Sequence, residues 1–256
     1  MSPSITAQAS NYETDRLVSE YAEFHYGDCY FDVPNFPQAL AQLAIAAMAN
    51  KPARKALDLG CATGRATFEL ARHFARVTGV DFSARFVYAA ASFAKEGSLR
   101  YTLADEGELV SSKERTLAEL GLDDVAGKVE FLQGDACNLE PTLSAYDLVL
   151  AANLIDRLYD PALFLNVVHQ RVNPGGLLLI ASPYTWLPEY TPRDAWIGGF
   201  KKDGEDFTTF DGLQAILGEH FRLLCGPLTV PFVIRETRRK FQHSLSEVTV
   251  WERTAG

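Results

Sequence analysis

With 256 residues, 47% of them hydrophobic, the chain is long enough to bury the core of one large α/β domain, and a net charge of −9 without a basic block argues against nucleic acid as a partner. Four dispersed cysteines (Cys29, Cys61, Cys137, Cys225) form no C-x-x-C pair and five dispersed histidines form no H-x-x-x-H grouping, so reduced thiols and no metal are expected. There is no signal peptide and no apolar run of about twenty residues, which leads us to expect a soluble, cytoplasmic protein.

In chain order, residues 1–10 are small and polar and read as a frayed terminus. The segment from Tyr12 to Tyr26 mixes charges with Tyr21, Phe24, His25 and Tyr26, and residues 29–37 are dense in aromatics and prolines. Such a region suits a cap over a pocket mouth, and equally an N-terminal helix whose aromatics cover a sheet edge. Gln38 to Met48 reads as an Ala/Leu helix leading into the first strand.

The stretch from Lys55 to Asp81 organises the rest. Ala56 to Leu59 is a short apolar run that stops at Gly60, Gly60 to Gly64 is a small-residue turn, and Arg65 to Phe74 has helical spacing. Val77 to Val80 is a second apolar run ending at Asp81. Strand, glycine turn, helix, strand and acid make half of a mononucleotide-binding unit. Glycines let a ligand lie against the backbone, the helix start offers free N–H groups, and a strand-end acid can accept both hydroxyls of a ribose. A dinucleotide site needs G-x-G-x-x-G, whereas here the spacing is G-x-x-x-G with Ala62 in the middle. Asp58, just before the turn, would repel a pyrophosphate and hold a cationic amino-acid moiety.

Ser83 can cap a helix running to about Lys95. Residues 97–127 interrupt the alternation as a charged insertion with one helix expected near 112–120. Val129 to Cys137 is the third strand, with Asp135 just past its end as either a turn acid or an acceptor for an adenine amine. Tyr146 to Ala152 is a continuous apolar run, as a parallel strand buried on both faces requires. It leads into Asn153, Leu154, Asp156 and Arg157, at the strand end where open α/β sheets bind ligands. Asp156 and Arg157 read either as substrate-facing groups or as an ion pair starting the next helix. A helix from Pro161 to Val172, a Pro-Gly-Gly break and a fifth strand, Leu177 to Ser182, follow. Residues 183–200 form an aromatic loop suited to a flat ring. A helix around Phe210–Leu217, a strand at Phe221–Leu224, a basic connection at 232–242 and a closing, antiparallel strand at Val248–Trp251 complete the chain. The basic segment can hold a carboxylate or be a solvated charged face.

D-x-G-x-x-x-G followed by a strand-end acid resembles the S-adenosylmethionine site of class I methyltransferases, as does R-V-N-P-G-G-x-L-L-I at 171–180. That resemblance implies a Rossmann-like, seven-stranded, mostly parallel sheet with helices on both faces. It would form one domain over 1–256, with an N-terminal cap (1–50) and an insertion before the third strand. It also implies a cofactor set of Asp58, Gly60, Cys61, Gly64, Asp81, Phe82, Asp135, Ala136, Asn153 and Leu154. Further stretches, Y-E-T-D-R-L-V-S-E-Y at 12–21, F-H-Y-G at 24–27, N-F-P at 35–37, E-Y-T-P-R-D-A-W-I-G-G-F at 189–200 and I-R-E-T-R-R-K-F-Q at 234–242, resemble the methyltransferase domain of ovothiol biosynthesis. In that family the π nitrogen of 5-thiohistidine is methylated, giving ovothiol A. The histidine-rich iron site and sulfoxide synthase region of the bifunctional members are missing here, so methyl transfer alone is expected, with a separate sulfoxide synthase or lyase of the same pathway as partner.

A ring made electron-rich by a thiolate needs alignment and a fixed tautomer more than a strong base. Asn153 or Asp156, with Tyr26 or Tyr184, is expected to orient the ring. Phe24, His25, Asn35, Arg157, Trp186, Tyr190, Arg235 and Arg238 are the expected substrate contacts, with Arg157, Arg235, Arg238 or Arg239 on the α-carboxylate. Rival readings are another small amino-acid-like or heteroaromatic acceptor, or a non-catalytic cofactor-binding module. A nicotinamide oxidoreductase is disfavoured by the glycine spacing and Asp58.

Overall fold

A strand buried on both faces must divide its side chains between two cores, and the central strand β6 (Tyr146–Ala152) does so. Leu148 and Leu150 enter one core, with Leu40, Phe68 and Phe93, while Val149 and Ala151 enter the other, with Phe164, Leu213 and Trp251. In this computed structural model, residues 13–255 are described; the expected frayed segment 1–10 and Tyr12, first residue of the 12–21 motif, lie outside them.

The chain opens with α1 (Asp15–Tyr26) and α2 (Phe36–Met48), then β1 (Lys55–Leu59), α3 (Arg65–Leu70), β2 (Arg76–Asp81) and α4 (Ala84–Glu96). β3 (Ser98–Glu106) and β4 (Leu109–Thr116) precede β5 (Val129–Gln133). After β6 come α5 (Pro161–Val167), β7 (Val172–Ser182), the short strands β8 (Phe200–Lys202) and β9 (Glu205–Phe207), α6 (Thr209–Leu217), β10 (Phe221–Arg235) and β11 (Phe241–Arg253). The seven-stranded sheet has the order β10-β11-β7-β6-β1-β2-β5. β1, β2, β5, β6 and β7 pair in parallel, and β11 joins β7 and β10 antiparallel. This is the expected doubly wound, Rossmann-like sheet with flanking helices. Among the described residues no helix is long and apolar enough to cross a membrane.

Helix starts follow the capping chemistry in the sequence. Asn35, Ser83, Asp160 and Thr208 each accept a backbone N–H of the first turn of the helix they precede. The helix read as Pro161–Val172 is shorter: α5 stops at Val167, a 3₁₀ turn covers Val168–Gln170, and β7 begins at Val172.

Two expectations are corrected. No helix forms at 112–120; β3 and β4 make an antiparallel hairpin that turns at Gly107, which sits at φ +59°. Leu99, Tyr101 and Leu103 alternate onto the inner face of that hairpin, a period-two signal that the helix-favouring run of Lys113, Glu114 and Arg115 obscures. The basic connection at 232–242 is the end of another hairpin, because β10 continues to Arg235 and β11 starts at Phe241.

The β3–β4 hairpin braces α1. Glu23, 2% exposed, accepts the Tyr30 hydroxyl at 2.5 Å, the Tyr101 hydroxyl at 2.7 Å and Lys113 Nζ at 2.8 Å. Burial works against the carboxylate charge, yet these donors hold its pKa below the usual glutamate value. Arg115 adds bonds to the Tyr26 carbonyl at 3.0 Å and to Asp28 at 2.7 Å. Glu23→Ala strands two phenol hydroxyls and leaves Lys113 with Asp28 as its acid, and is expected to cost about 2–4 kcal/mol in chemical denaturation. The Glu23→Ala/Lys113→Ala double variant should cost less than the sum of its parts, since Lys113→Ala alone leaves the buried Glu23 charge without a cation and the double variant removes that charge.

Candidate functional site

One large cavity lies beyond the carboxyl ends of β1, β2, β5 and β6, the usual ligand position in an open α/β sheet. Its empty space, open mouth included, is about 1270 Å³.

The floor is built by the turn after β1. Gly60, Ala62 and Gly64 are all left-handed, at φ +72°, +45° and +92°. Gly60 and Cys61 donate their N–H groups to the Val80 carbonyl at 2.8 and 3.1 Å, tying the turn to β2. A Cβ on Gly60 would come within 3.1 Å of Leu154, and one on Gly64 within 2.6 Å of the Phe131 ring. Gly60, Cys61 and Leu154 line the cavity, whereas Gly64 acts from below, making room for Phe131.

Three acids stand on the rim of this floor. Asp58, 1% exposed, accepts the Thr67 hydroxyl at 2.7 Å, and burial pushes its pKa up to about 7. Asp81 accepts the Ala62 N–H on one oxygen at 2.8 Å and the Ser83 N–H on the other at 2.9 Å. Each oxygen keeps a lone pair, and burial raises this group to about 6. Asp135 accepts the Cys137 N–H at 2.8 Å and the Tyr159 hydroxyl at 3.1 Å. Phe82 and Ala136 complete this side. Asn153, at φ +49°, accepts the Ser246 hydroxyl on Oδ1 at 2.7 Å, leaving its Nδ2 to donate.

The cavity is lined further by Tyr21, Phe24 and His25 of α1, Phe36 and Pro37 of α2, with Arg157, Tyr190 and Ile234. Of the expected substrate contacts, Phe24, His25, Arg157 and Tyr190 thus meet in one place. Arg157 lies over the Tyr190 ring, 4.9 Å from its centroid, and is the one cationic side chain among the described residues lining the cavity.

The remaining expected residues work elsewhere. Tyr26 points under the floor and donates to the Thr63 carbonyl at 2.6 Å. Asp156 is 1% exposed; it accepts the Ser182 and Thr185 hydroxyls, the Thr185 N–H and Arg157 Nη1, so the ion pair is the reading that fits. The Tyr184 hydroxyl donates to Glu247 at 2.9 Å. Trp186 donates to the Thr209 hydroxyl at 2.9 Å and stacks on Trp196. Asn35 caps α2 while donating to the Phe24 and His25 carbonyls. Arg235 pairs with Asp105 at 2.6 Å, Arg239 with Glu106 at 2.7 Å, and Arg238 is exposed. Their charge is thus spent on the β3–β4 hairpin or faces solvent. Tyr21, Phe36, Pro37, Tyr159 and Ile234 were absent from the expected site. Positions 21, 24 and 25 lie three and four apart, so helical spacing alone could have added Tyr21.

Asp58 gives a pH-dependent signature. Its folded pKa lies above the ordinary value of about 3.9, so its contribution is complete below that value and is lost as pH rises through about 7. Compared with Asp58→Asn, the ligand-free protein should lose stability between pH 4 and 8, on the order of 5 °C in Tm. Thermal denaturation of both proteins across that range checks this.

Residues 50–196, more than half of the chain, match the family described as a methyltransferase domain. The ubiquinone biosynthesis O-methyltransferase of Caulobacter vibrioides is 26% identical over 185 residues, 69% of this chain and 62% of that protein. The chain spans between 39% and 62% of the length of the curated relatives it matches. Among solved structures, the [4+2]-cyclase SpnF superposes with a TM-score of 0.60 at 16% identity, covering 99% of both chains. Magnesium protoporphyrin IX methyltransferase from Synechocystis, with bound S-adenosylhomocysteine, superposes at 0.58 with 18% identity, covering 97% of this chain and 99% of its own.

The floor fits S-adenosylmethionine on its own chemistry. Asp58 would hold the cofactor's ammonium group, Asp81 the ribose hydroxyls and Asp135 the adenine amine, while Gly60 leaves a surface without a Cβ. The chain belongs to the methyltransferase domain family, within the class I S-adenosylmethionine-dependent methyltransferase superfamily.

Proposed function

We propose that this enzyme transfers the methyl group of S-adenosylmethionine to the imidazole π nitrogen of 5-thiohistidine, giving ovothiol A. One observation carries the reading. The stretches that resemble the thiohistidine methyltransferases are scattered over the chain, yet all five send residues to the one cavity. Segment 12–21 supplies Tyr21, 24–27 supplies Phe24 and His25, 35–37 supplies Phe36 and Pro37, 189–200 supplies Tyr190, and 234–242 supplies Ile234. This convergence on the cavity that holds the acids supports the reading.

The bound cofactor supplies a methyl group made electrophilic by its sulfonium. The protein's part is alignment and exclusion of water. Aromatic residues on the wall suit a flat heteroaromatic ring. Arg157, whose Nη1 is pinned by Asp156 and the Thr185 carbonyl, presents a pre-oriented guanidinium to the cavity for the amino acid's carboxylate. Asn153 Nδ2 can donate to the ring or its thiolate. Asp156, Tyr26 and Tyr184 hold neighbouring backbone and loops and take no proton. A thiolate-bearing imidazole already offers a free lone pair, so the reaction needs no enzymic base. We further propose a sulfoxide synthase or lyase of the same pathway as the partner that supplies the thiolated substrate.

The likeness to ubiquinone biosynthesis O-methyltransferases favours a second reading, methylation of a hydroxyl on a prenylated ring. A single-turnover assay with S-adenosylmethionine and 5-thiohistidine, with histidine and a prenylated catechol as controls, separates the two. Mass spectrometry and NMR should show an N-methylated thiohistidine with both controls untouched. Methylated catechol, or tight cofactor binding without any product, would overturn the proposal. Arg157→Lys, which keeps a cation beside Asp156 but loses the planar fork, should raise KM for 5-thiohistidine by about tenfold. Its affinity for S-adenosylhomocysteine, read by calorimetry, should stay within about threefold.

A further inference from the structure

One imidazole lines the cavity that holds the acids, and its protonation is set by the fold. His25 lies in the last turn of α1, 6% exposed, on the cavity wall. The backbone N–H of Arg65, at the start of α3, points at its Nδ1 from 3.2 Å. A backbone N–H can only donate, so Nδ1 must hold a lone pair and the proton of the neutral ring sits on Nε2. The His25 backbone is pinned too, its carbonyl accepting Asn35 Nδ2 at 3.0 Å and Arg65 Nη1 at 3.3 Å.

The surroundings also keep the ring neutral. Burial, then the Arg65 guanidinium, lower its pKa to about 3. The titratable groups facing it are Arg65 from α3 and Tyr21 and Tyr26 from its own helix, both phenols raised by burial. None of them can stabilise an imidazolium at neutral pH.

We infer that His25 is a permanently neutral hydrogen-bond donor that reads the methyl acceptor through Nε2–H, and that it is not the base of the reaction. A base needs a free lone pair on the cavity side, and the one lone pair of this ring is spent on α3. The inference rests on the thiohistidine reading in one respect: the thiolate is the acceptor group that 5-thiohistidine has and histidine lacks. A fixed donor here would make that sulfur a recognition element. A substrate without it leaves a buried N–H unpaired, and such sites reject analogues strongly.

The test uses the full chain labelled with ¹⁵N-histidine, together with His25→Phe and His25→Gln. One imidazole, absent from the His25→Phe spectrum, should show the Nε2–H tautomer unchanged from pH 5 to 8, and its Nε2–H resonance should move when 5-thiohistidine is added to the S-adenosylhomocysteine complex. His25→Phe should lower kcat/KM about 100-fold, and His25→Gln, whose amide keeps a donor, about tenfold or less. Both variants should bind S-adenosylhomocysteine within about threefold of wild type. An Nδ1–H tautomer, or titration between pH 5 and 8, would overturn the assignment. So would S-adenosylhomocysteine affinity falling in step with kcat/KM, which would move the donor to the cofactor. Wild-type inactivity on 5-thiohistidine with the tautomer intact sinks the thiohistidine reading alone. Full activity of His25→Phe sinks the donor role alone.

Discussion

The site is arranged around a carboxylate that, among the described residues, is buried without a cation beside it. Asp58 sits near the end of β1, 1% exposed, and accepts the Thr67 hydroxyl. Burial of an unpaired carboxylate is costly, and its pKa rises accordingly. A ligand that brings its own ammonium group removes that cost, so binding and charge neutralisation are one event. Asp81 repeats the logic one strand over, with two backbone N–H groups in place of a hydroxyl. The floor is thus a surface incomplete by itself and completed by a cationic amino-acid nucleoside.

The lining from α1 needs different support, because that helix belongs to no sheet. It is held by its ends and its flank. Tyr26 bonds to the glycine turn through Thr63, Asn35 ties its last carbonyls to α2, and Glu23 anchors it to the β3–β4 hairpin. That hairpin is fastened in turn to the tip of β10–β11 by Asp105–Arg235 and Glu106–Arg239. The insertion before β5 therefore has a structural role in the site without touching it. It braces the helix that carries Tyr21, Phe24 and His25 to the cavity.

How much of this was legible follows from how local each cause is. β1, the turn, α3 and β2 lie within residues 55–81, and strand burial, glycine spacing and strand-end acids are all short-range signals, so the floor could be read directly. The wall depended on partners far away in the chain. Tyr26 bonds to Thr63, 37 residues on, and Tyr184 to Glu247, 63 residues on, so neither distance nor direction was visible in the sequence. Trp186 looked like a ring-stacking residue, but its indole N–H finds Thr209 and turns the ring into the loop. The arginines at 235 and 239 looked available because residues 97–127, which carry Asp105 and Glu106, read as a charged surface insertion with no partner in the rest of the chain. Without the β3–β4 hairpin those two cations had no visible acid.

Backbone strain marks the boundary between these two layers. Ala62 and Asn153 are non-glycine residues in left-handed conformations, a cost on the order of 1 kcal/mol or more each, and both lie on the cavity. Ala62 turns its N–H toward Asp81, fixing the carboxylate. Asn153 donates its N–H to the Ala181 carbonyl and accepts the Ser246 hydroxyl on its side-chain oxygen, which fixes the side chain at the cavity edge. Ala62 is locked by a bond to β2, and Asn153 by bonds to β7 and β11. Left-handed non-glycine residues also occur away from the cavity, as at Ala49 and Asp203, but at these two positions the bend is held because the chain must turn sharply at a strand end to line the cavity, and must stay turned for that lining to keep its shape.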